Sequence, residues 1–334
     1  MTTALTATYP TLLDYANRED VKGGIDTIIE VLAASNPILT DASIMEGNLA
    51  TGHRSTQRTT QPTGTWRKLN YGVAAEKSTT KQVTDTCGIL ESYSKLDVDV
   101  AKLNGNEQAF RKSEDMGFIS GMTSTAATAI FYGNEGTDPE QFQGLAPRYA
   151  STSAEYSNQM IDGDGSSDDD ETSMWFITWS PNTCSLIYPK GSQAGLQVND
   201  LGKQLVTDSN GLEYMAYVTQ FQWKLGLCLR DYRYVIRICN IDTNDLVADA
   251  SSGADLLSKM VDAYYARPTI DLGNMAKTFI YCNKIVAKFL HKQAQSKSNV
   301  NLTIDSPAGK PIVSFLDAPI RVCDNILSTE DHIS

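Results

Sequence analysis

Histidine is scarce in this sequence: 334 residues contain three, His53, His291 and His332. They lie far apart, one in the basic segment, one on a predicted helix and one in the last three residues, and no local His–carboxylate pair stands out as an acid–base unit. Six cysteines sit at 87, 184, 228, 239, 282 and 323, with the closest pair eleven residues apart and no C-x-x-C. That spacing excludes a zinc frame and the dense disulfide framework of a small secreted domain. Most have strand-type neighbours, as in Leu227-Cys228-Leu229, and are expected as reduced, apolar fillers in a cytosolic compartment. Long hydrophobic runs are missing as well. Met1-Thr2-Thr3-Ala4-Leu5 has neither the basic nor the apolar part of a signal peptide. The longest uncharged window, Met116 to Asn134, holds five Ser/Thr and is too polar to span a membrane. The chain is expected to be soluble.

Positive charge is in deficit, with Lys+Arg 28 against Asp+Glu 40 and a net charge of −12. Such a surface repels phosphate backbones, so specific nucleic-acid binding is not expected. Catalytic signatures are also missing. Gly202-Lys203 and Gly309-Lys310 are followed by Gln and Pro rather than Ser or Thr, and no G-x-S-x-G, H-E-x-x-H or G-x-G-x-x-G after a strand occurs. The acidic run Asp162 to Glu171 begins like a calcium loop but has Ser167 and Ser173 where the template needs Gly and Glu. It reads as a solvated loop. No enzyme activity, metal or cofactor is expected.

What is present is ample core material, 41% hydrophobic residues, and one region of unusual composition. Thr51 to Gln82 contains eight threonines and six basic residues, Arg54, Arg58, Arg67, Lys68, Lys77 and Lys81, against a single acid, Glu76. The segment thus carries +5 in a chain of −12, leaving −17 for the rest. Its apolar residues are few: Trp66, Leu69, Tyr71 and Val73. Threonine-rich runs on either side of Pro62-Thr63-Gly64 predict a long β-hairpin that cannot bury either face. It needs a partner surface. Arg54, Arg58, Trp66, Arg67, Lys68 and Tyr71 are the candidate contact residues, with the aromatics as apolar anchors.

The remaining pattern is α+β. Residues 11–34 predict two short helices broken at Gly23-Gly24 and stopped at Asn36-Pro37. Residues 107–131 predict a helix of ~40 Å, capped by Asn106. Gly117 and Gly121 lie one turn apart on it, and another backbone is expected to approach there, so that Gly121→Leu would abolish the soluble subunit or its assembly. Strands are predicted at 174–179, 184–188, 214–224, 227–230, 234–241, 278–282, 300–304, 311–315 and 319–323. Two helices interrupt them: one with a Ser252/Asp255 capping box that ends at Pro268, and one capped by Asn283 and running to about Ala294.

Several stretches, taken in order, resemble the major capsid proteins of epsilon-15-like podoviruses. They are Pro10-Thr-Leu-Leu-Asp14, Glu46-Gly-Asn-Leu-Ala-Thr-Gly-His-Arg54, Trp66-Arg-Lys-Leu-Asn-Tyr-Gly-Val73, Leu103-Asn-Gly-Asn106 and Phe142-Gln-Gly-Leu-Ala-Pro-Arg148. Tyr188-Pro-Lys-Gly191, Arg233-Tyr-Val-Ile-Arg237, Gly309-Lys-Pro-Ile312 and Ala318-Pro-Ile-Arg-Val-Cys-Asp324 follow. The resemblance covers essentially the whole chain and implies the HK97-like fold of tailed-phage heads. It implies an N-arm over 1–45, an extended E-loop over 46–90 and a peripheral domain over 91–173 with helix 107–131 as its spine. An axial domain of mixed sheet and helices over 174–298 and a return to the peripheral domain over 299–334 complete the mapping.

It further implies a structural role. Copies of the chain would form pentamers and hexamers of an icosahedral shell, made in the host bacterial cytoplasm and kept in the virion, that encloses double-stranded DNA without specific binding. A scaffolding protein, a portal at one vertex and a decoration protein are the partners implied, with no membrane. With the hairpin beginning near Thr51, an unprocessed chain and a separate scaffold are expected. No cross-linking through Lys68, Lys77 or Lys81 is expected. The alternative reading is a soluble protein whose basic hairpin is a lid over an anionic ligand.

Overall fold

The computed structural model describes residues 36–103, 107–152, 156–165, 170–208, 210–246, 255–268, 276–295, 302–305 and 312–333. The expected helices of 11–34 and the Asn106 and Ser252 caps lie outside these residues. The described chain forms two compact units, one from Ile89–Ala126 and Gly195–Lys224, the other from Ser35–Gly88, Ala127–Ala194 and Leu225–Ser334.

In chain order the elements are α1 (Ile38–Asp41), β1 (Ile44–Glu46), β2 (Gly52–Thr60), β3 (Thr79–Asp97), α2 (Val98–Ala101), α3 (Glu107–Tyr132), β4 (Met160–Asp162), β5 (Glu171–Trp179) and β6 (Cys184–Tyr188). They continue as β7 (Leu196–Thr207), β8 (Glu213–Leu229), β9 (Val235–Asp242), α4 (Leu256–Ala266), β10 (Lys277–Cys282), α5 (Lys284–Gln295), β11 (Leu302–Asp305), β12 (Ile312–Phe315) and β13 (Ala318–Val322).

In the first unit, β7 pairs antiparallel with β8 from Leu196↔Trp223 to Thr207↔Glu213. Helix α3 packs on that hairpin through Phe118, whose ring stacks on Phe221 at 5.6 Å. Arg111 lies over the Tyr217 ring and pairs with Asp200 at 2.7 Å. Leu96, Val98, Ala101, Phe110 and Tyr217 form the unit's apolar core. The sequence pattern did not announce β7. Its Asn199, Asp200, Lys203 and Gln204 break the alternation that betrays a strand, and pairing with β8 rather than burial holds it.

The predicted close approach at Gly117 and Gly121 is not there. Among the described residues, a Cβ added at either position meets no atom within 4 Å. Both glycines lie on an open face of α3. Gly121→Ala is therefore expected to leave the isolated subunit folded and to raise helix stability by up to about 1 kcal/mol. A thermal melt that falls instead would overturn this reading.

The second unit centres on β5, every residue of which is buried. β5 pairs antiparallel with both β10 and β9, and β10 pairs in parallel with β13. The ladder order runs β11-β12-β13-β10-β5-β6-β8-β3-β2. Helices α4 and α5 cover this sheet with Leu256, Leu257, Met260, Ala263, Val286 and Leu290. Asn283 caps α5 as expected, its side-chain Oδ1 accepting from Val286 N at 2.9 Å. Helix α4 is capped differently: Asp255 is itself the N-cap and accepts from Ser258 N. Phe131, Tyr149, Trp175 and Tyr281 make a buried aromatic cluster with centroids 6.0–6.4 Å apart.

One further expectation changes. The strands predicted at 214–224 and 227–230 are one strand, β8, that runs straight through Gly226. A Cβ at Gly226 would lie 2.5 Å from Thr86 O, so the glycine serves close passage of β3 rather than a break. All six cysteines are free, and five are buried. Burial pushes Cys228 and Cys282 up to about 12 and Cys87, Cys239 and Cys323 up to about 11, so these thiols stay protonated at neutral pH.

A buried ionic knot holds residues 326–333 to this unit. Arg237 donates to Glu330 at 2.7 Å, to Ser173 Oγ at 2.9 Å and to Tyr149 O at 2.6 Å, and its guanidinium lies over Trp175. The hydroxyls of Tyr132 and Ser173 also donate to Glu330. Leu327 N donates to Tyr132 OH, and Glu330 N to Glu171 O. His332 sits 3.0 Å from the Glu171 carboxylate, a His–carboxylate pair that local sequence could not show because 161 positions separate the two.

Candidate functional site

The basic segment does form a hairpin, but not with the turn expected at Pro62–Gly64. β2 and β3 pair from Gly52↔Thr86 to Thr60↔Thr79, and residues 61–78 between them form an open tip without helix or strand. The composition explains this: threonines make the ladder, while Pro62, Gly64 and Gly72 leave the tip no regular pairing. Two local devices shape the tip. Thr63 N and Gly64 N both donate to the Glu76 carboxylate, at 2.9 and 3.0 Å, so the only acid of the segment ties its two sides together. Tyr71 N donates to Lys68 O across a tight turn in which Asn70 takes φ +68°.

The apolar residues of the tip find nothing to cover them in the described chain. Trp66 is fully exposed, Leu69 and Tyr71 are largely so, and Val73 is nearly half exposed. Arg67 and Lys68 beside them are exposed as well. Four apolar side chains and two cations therefore share one uncovered tip. Arg54 and Arg58 stand lower down on β2, both exposed and two pleats apart, hence on one face. The six candidate residues thus fall into two groups, an aromatic–basic tip and an arginine face nearer the foot. Among the described residues neither Arg54 nor Arg58 makes an ion pair; Arg54 Nε donates only to Thr84 Oγ1, at 3.3 Å.

The foot of the hairpin is fixed in place. Asp85, its side chain 1% exposed, pairs with Arg148 at 2.8 Å and accepts from Leu229 N at 3.2 Å. Arg148 spends its remaining donors on the carbonyls of Gln143, Gly144 and Leu227. Gln57 reaches across to Leu229 O and Arg230 O at 3.1 and 2.9 Å. Asn48 brackets Arg54, accepting from its N–H and donating to its carbonyl. Gly52 permits the close pairing, since a Cβ there would lie 2.0 Å from Asp85 O.

His53 lies buried at the same foot, with Nε2 2.9 Å from Arg230 Nη2. Burial first and the Arg230 charge second lower its pKa from 6.5, against a weaker opposing pull from Asp85. The folded state holds this imidazole neutral. Its contribution to stability is present above pH 6.5 and is lost as pH falls through 6.5 toward the depressed folded value. Wild-type subunits are therefore expected to lose more thermal stability between pH 7 and pH 5 than His53→Gln subunits, by melts at both values; equal losses would remove His53 from that account.

Asp85, Arg148, Arg230 and Arg233 were not singled out from sequence. The partners of Asp85 and Arg230 lie far along the chain, 144 positions for Asp85 and Leu229 and 177 for Arg230 and His53, whereas Arg233 pairs with Asp231 two positions away. Among the described residues no cluster of three or more His, Cys, Asp or Glu could hold a metal ion, and no helix is long and apolar enough to cross a membrane.

A family model described as major capsid protein GP7 matches residues 20–334. A chain of bacteriophage Epsilon15, from a near-atomic cryo-EM structure, is 40% identical, with 99% of each chain covered and a TM-score of 0.77. The capsid of bacteriophage JBD30 decorated with minor capsid protein trimers is 10% identical over 91% of this chain and 95% of that one, with a TM-score of 0.50, a likeness of fold alone. No curated protein sequence matches. With a family model spanning nearly the full length and the Epsilon15 chain alongside it, the chain belongs to the GP7 family of major capsid proteins.

Proposed function

We propose that many copies of this chain build the icosahedral head of a tailed double-stranded DNA phage, and that the hairpin β2–β3 is the element each subunit lays on its neighbour. The family carries the first part of this reading and displaces the alternative of a basic lid over an anionic ligand. The second part rests on a single observation: the tip exposes Trp66, Leu69 and Tyr71 together with Arg67 and Lys68, while the foot is locked by Asp85 and Arg148. A rigid foot with an uncovered aromatic tip is the arrangement of an arm that gains its burial from another molecule. Charge points the same way, since a segment of +5 meets copies whose remainder carries −17.

The head mapping follows: hairpin as E-loop, α3 as spine, pentamers and hexamers as capsomers. A scaffolding protein during assembly, a portal at one vertex and an outer decoration protein are its proposed partners, and the host cytoplasm is the proposed place of synthesis. Purified protein should show shells, sheets or tubes in electron micrographs; discrete small particles at every concentration would count against a shell. Arg54→Glu combined with Arg58→Glu is expected to block assembly while leaving the far-UV circular dichroism of the subunit unchanged. Both arginines are exposed, so the fold does not depend on them. Normal heads from that double variant, equally resistant to salt, would remove the hairpin's charge from the mechanism.

A further inference from the structure

At the foot of the hairpin lies a concave groove of about 760 Å³ within the second unit. Arg54 and Arg58 line it from β2, Arg230 and Arg233 line it from the turn after β8, and among the described residues Asp231 is the only acid on its walls. Asp231 is already engaged: its carboxylate accepts from Arg233 Nε at 2.9 Å and Arg233 Nη2 at 2.7 Å. Arg230 gives Nη2 to the neutral His53, and its Nε is buried without a hydrogen-bond partner. Arg54, Arg58 and Arg230 therefore line one concavity, and among the described residues none of them is paired with a carboxylate.

Guanidinium groups gathered in a concave site are complementary to carboxylates, which they bind through paired N–H donors. Phosphate would fit the same donors. A chain of −12, however, repels a nucleic-acid backbone as a whole, and every further copy brings its own surplus of acids, −17 outside the hairpin segment. We infer that this groove receives an acidic segment of a second copy of this chain, with Arg54, Arg58 and Arg230 as its carboxylate contacts. The inference rests on the shell-building reading above and adds to it the half of the contact that is not hairpin: the Arg230–Arg233 turn. An arm docked this way is held at its foot by charge and at its tip by aromatic burial.

A photo-cross-linking residue, benzoylphenylalanine, in place of Gln61 tests the inference, because Gln61 lines the groove and is exposed. Irradiated particles should give covalent subunit dimers, and mass spectrometry should place the link in an Asp/Glu-bearing peptide of the second copy. Links confined to the same chain, or formed only to DNA or to a different protein, would overturn it. The Arg58→Gln variant gives a second measure that does not require the cross-linker. It should raise the protein concentration needed for assembly about threefold or more, with a weaker dependence on salt; an unchanged threshold and slope would overturn the inference as well. Wild-type chains that never form particles would instead defeat the shell reading itself, so the two failures are distinguishable.

Discussion

Glu330→Ala is expected to cost the subunit about 3–5 kcal/mol, the range for removing one partner of a buried ion pair. Arg237 and Glu330 have side chains only 4% and 6% exposed. With the carboxylate gone, Arg237 keeps Ser173 Oγ and Tyr149 O but has no counter-charge. The hydroxyls of Tyr132 and Ser173 lose their acceptor at the same time. Three groups are then left short of partners, Arg237 and Ser173 buried and Tyr132 half-buried. Chemical denaturation should show the midpoint falling with an unchanged slope. Replacing both charges, with Arg237→Met and Glu330→Leu, should restore much of the loss, because the cost lies in the stranded cation more than in the missing attraction. A single variant as stable as wild type would show that residues 326–333 are not held by this knot.

Asp85→Ala is expected to produce a loss of the same order, about 3–5 kcal/mol, but with a different second readout. Asp85 pairs with Arg148 and also accepts from Leu229 N, so its removal frees the foot of the hairpin from β8 as well as stranding a cation that is 12% exposed. Assembly should therefore suffer beyond what stability explains. At a temperature where Asp85→Ala and Glu330→Ala subunits are equally folded, the Asp85 variant should assemble more slowly. Its Arg67-Lys68 tip should also be cut faster by trypsin. Equal assembly rates for the two variants would mean that the ion pair supports the fold without orienting the arm.

The distance between partners decides how much of this could be seen in advance. Helix α3, strand β6 and the Asn283 cap depend on neighbouring residues, and their sequence pattern placed them correctly or within a residue or two. The hairpin was visible because its composition is local: threonines and cations in one run, aromatics at its tip. Its open tip was not, since a proline and a glycine at 62 and 64 look the same in a tight turn and in an extended loop. The gap between the strands predicted at 214–224 and 227–230, which holds Gly226, is of a related kind. A glycine within a strand reads as a break unless the strand passing beside it is known, and here that strand is β3. Gly117 and Gly121 misled in the opposite direction, their small size suggesting a neighbour where the helix face is open. The anchoring residues Asp85, Arg148, Arg230 and Arg237 act through partners that only the folded chain brings near, and a lone arginine in sequence says nothing about whom it meets.

The knot at Glu330 also sets an order of events during synthesis. Ser173 and Glu330 are 157 positions apart, which a ribosome adding ~5–20 residues per second takes about 8–30 s to traverse. Through the last 93 positions of that interval the chain carries both Arg237 and Ser173 without the carboxylate that completes them. The hairpin waits too, though less long, since Asp85 finds its Leu229 contact only after 144 further positions. A nascent chain therefore displays its aromatic tip before the foot is locked, and the arm becomes directional only after β8 is made. Translation itself thus separates the two stages, so a half-made subunit on a crowded polysome has no aimed arm with which to seize its neighbours.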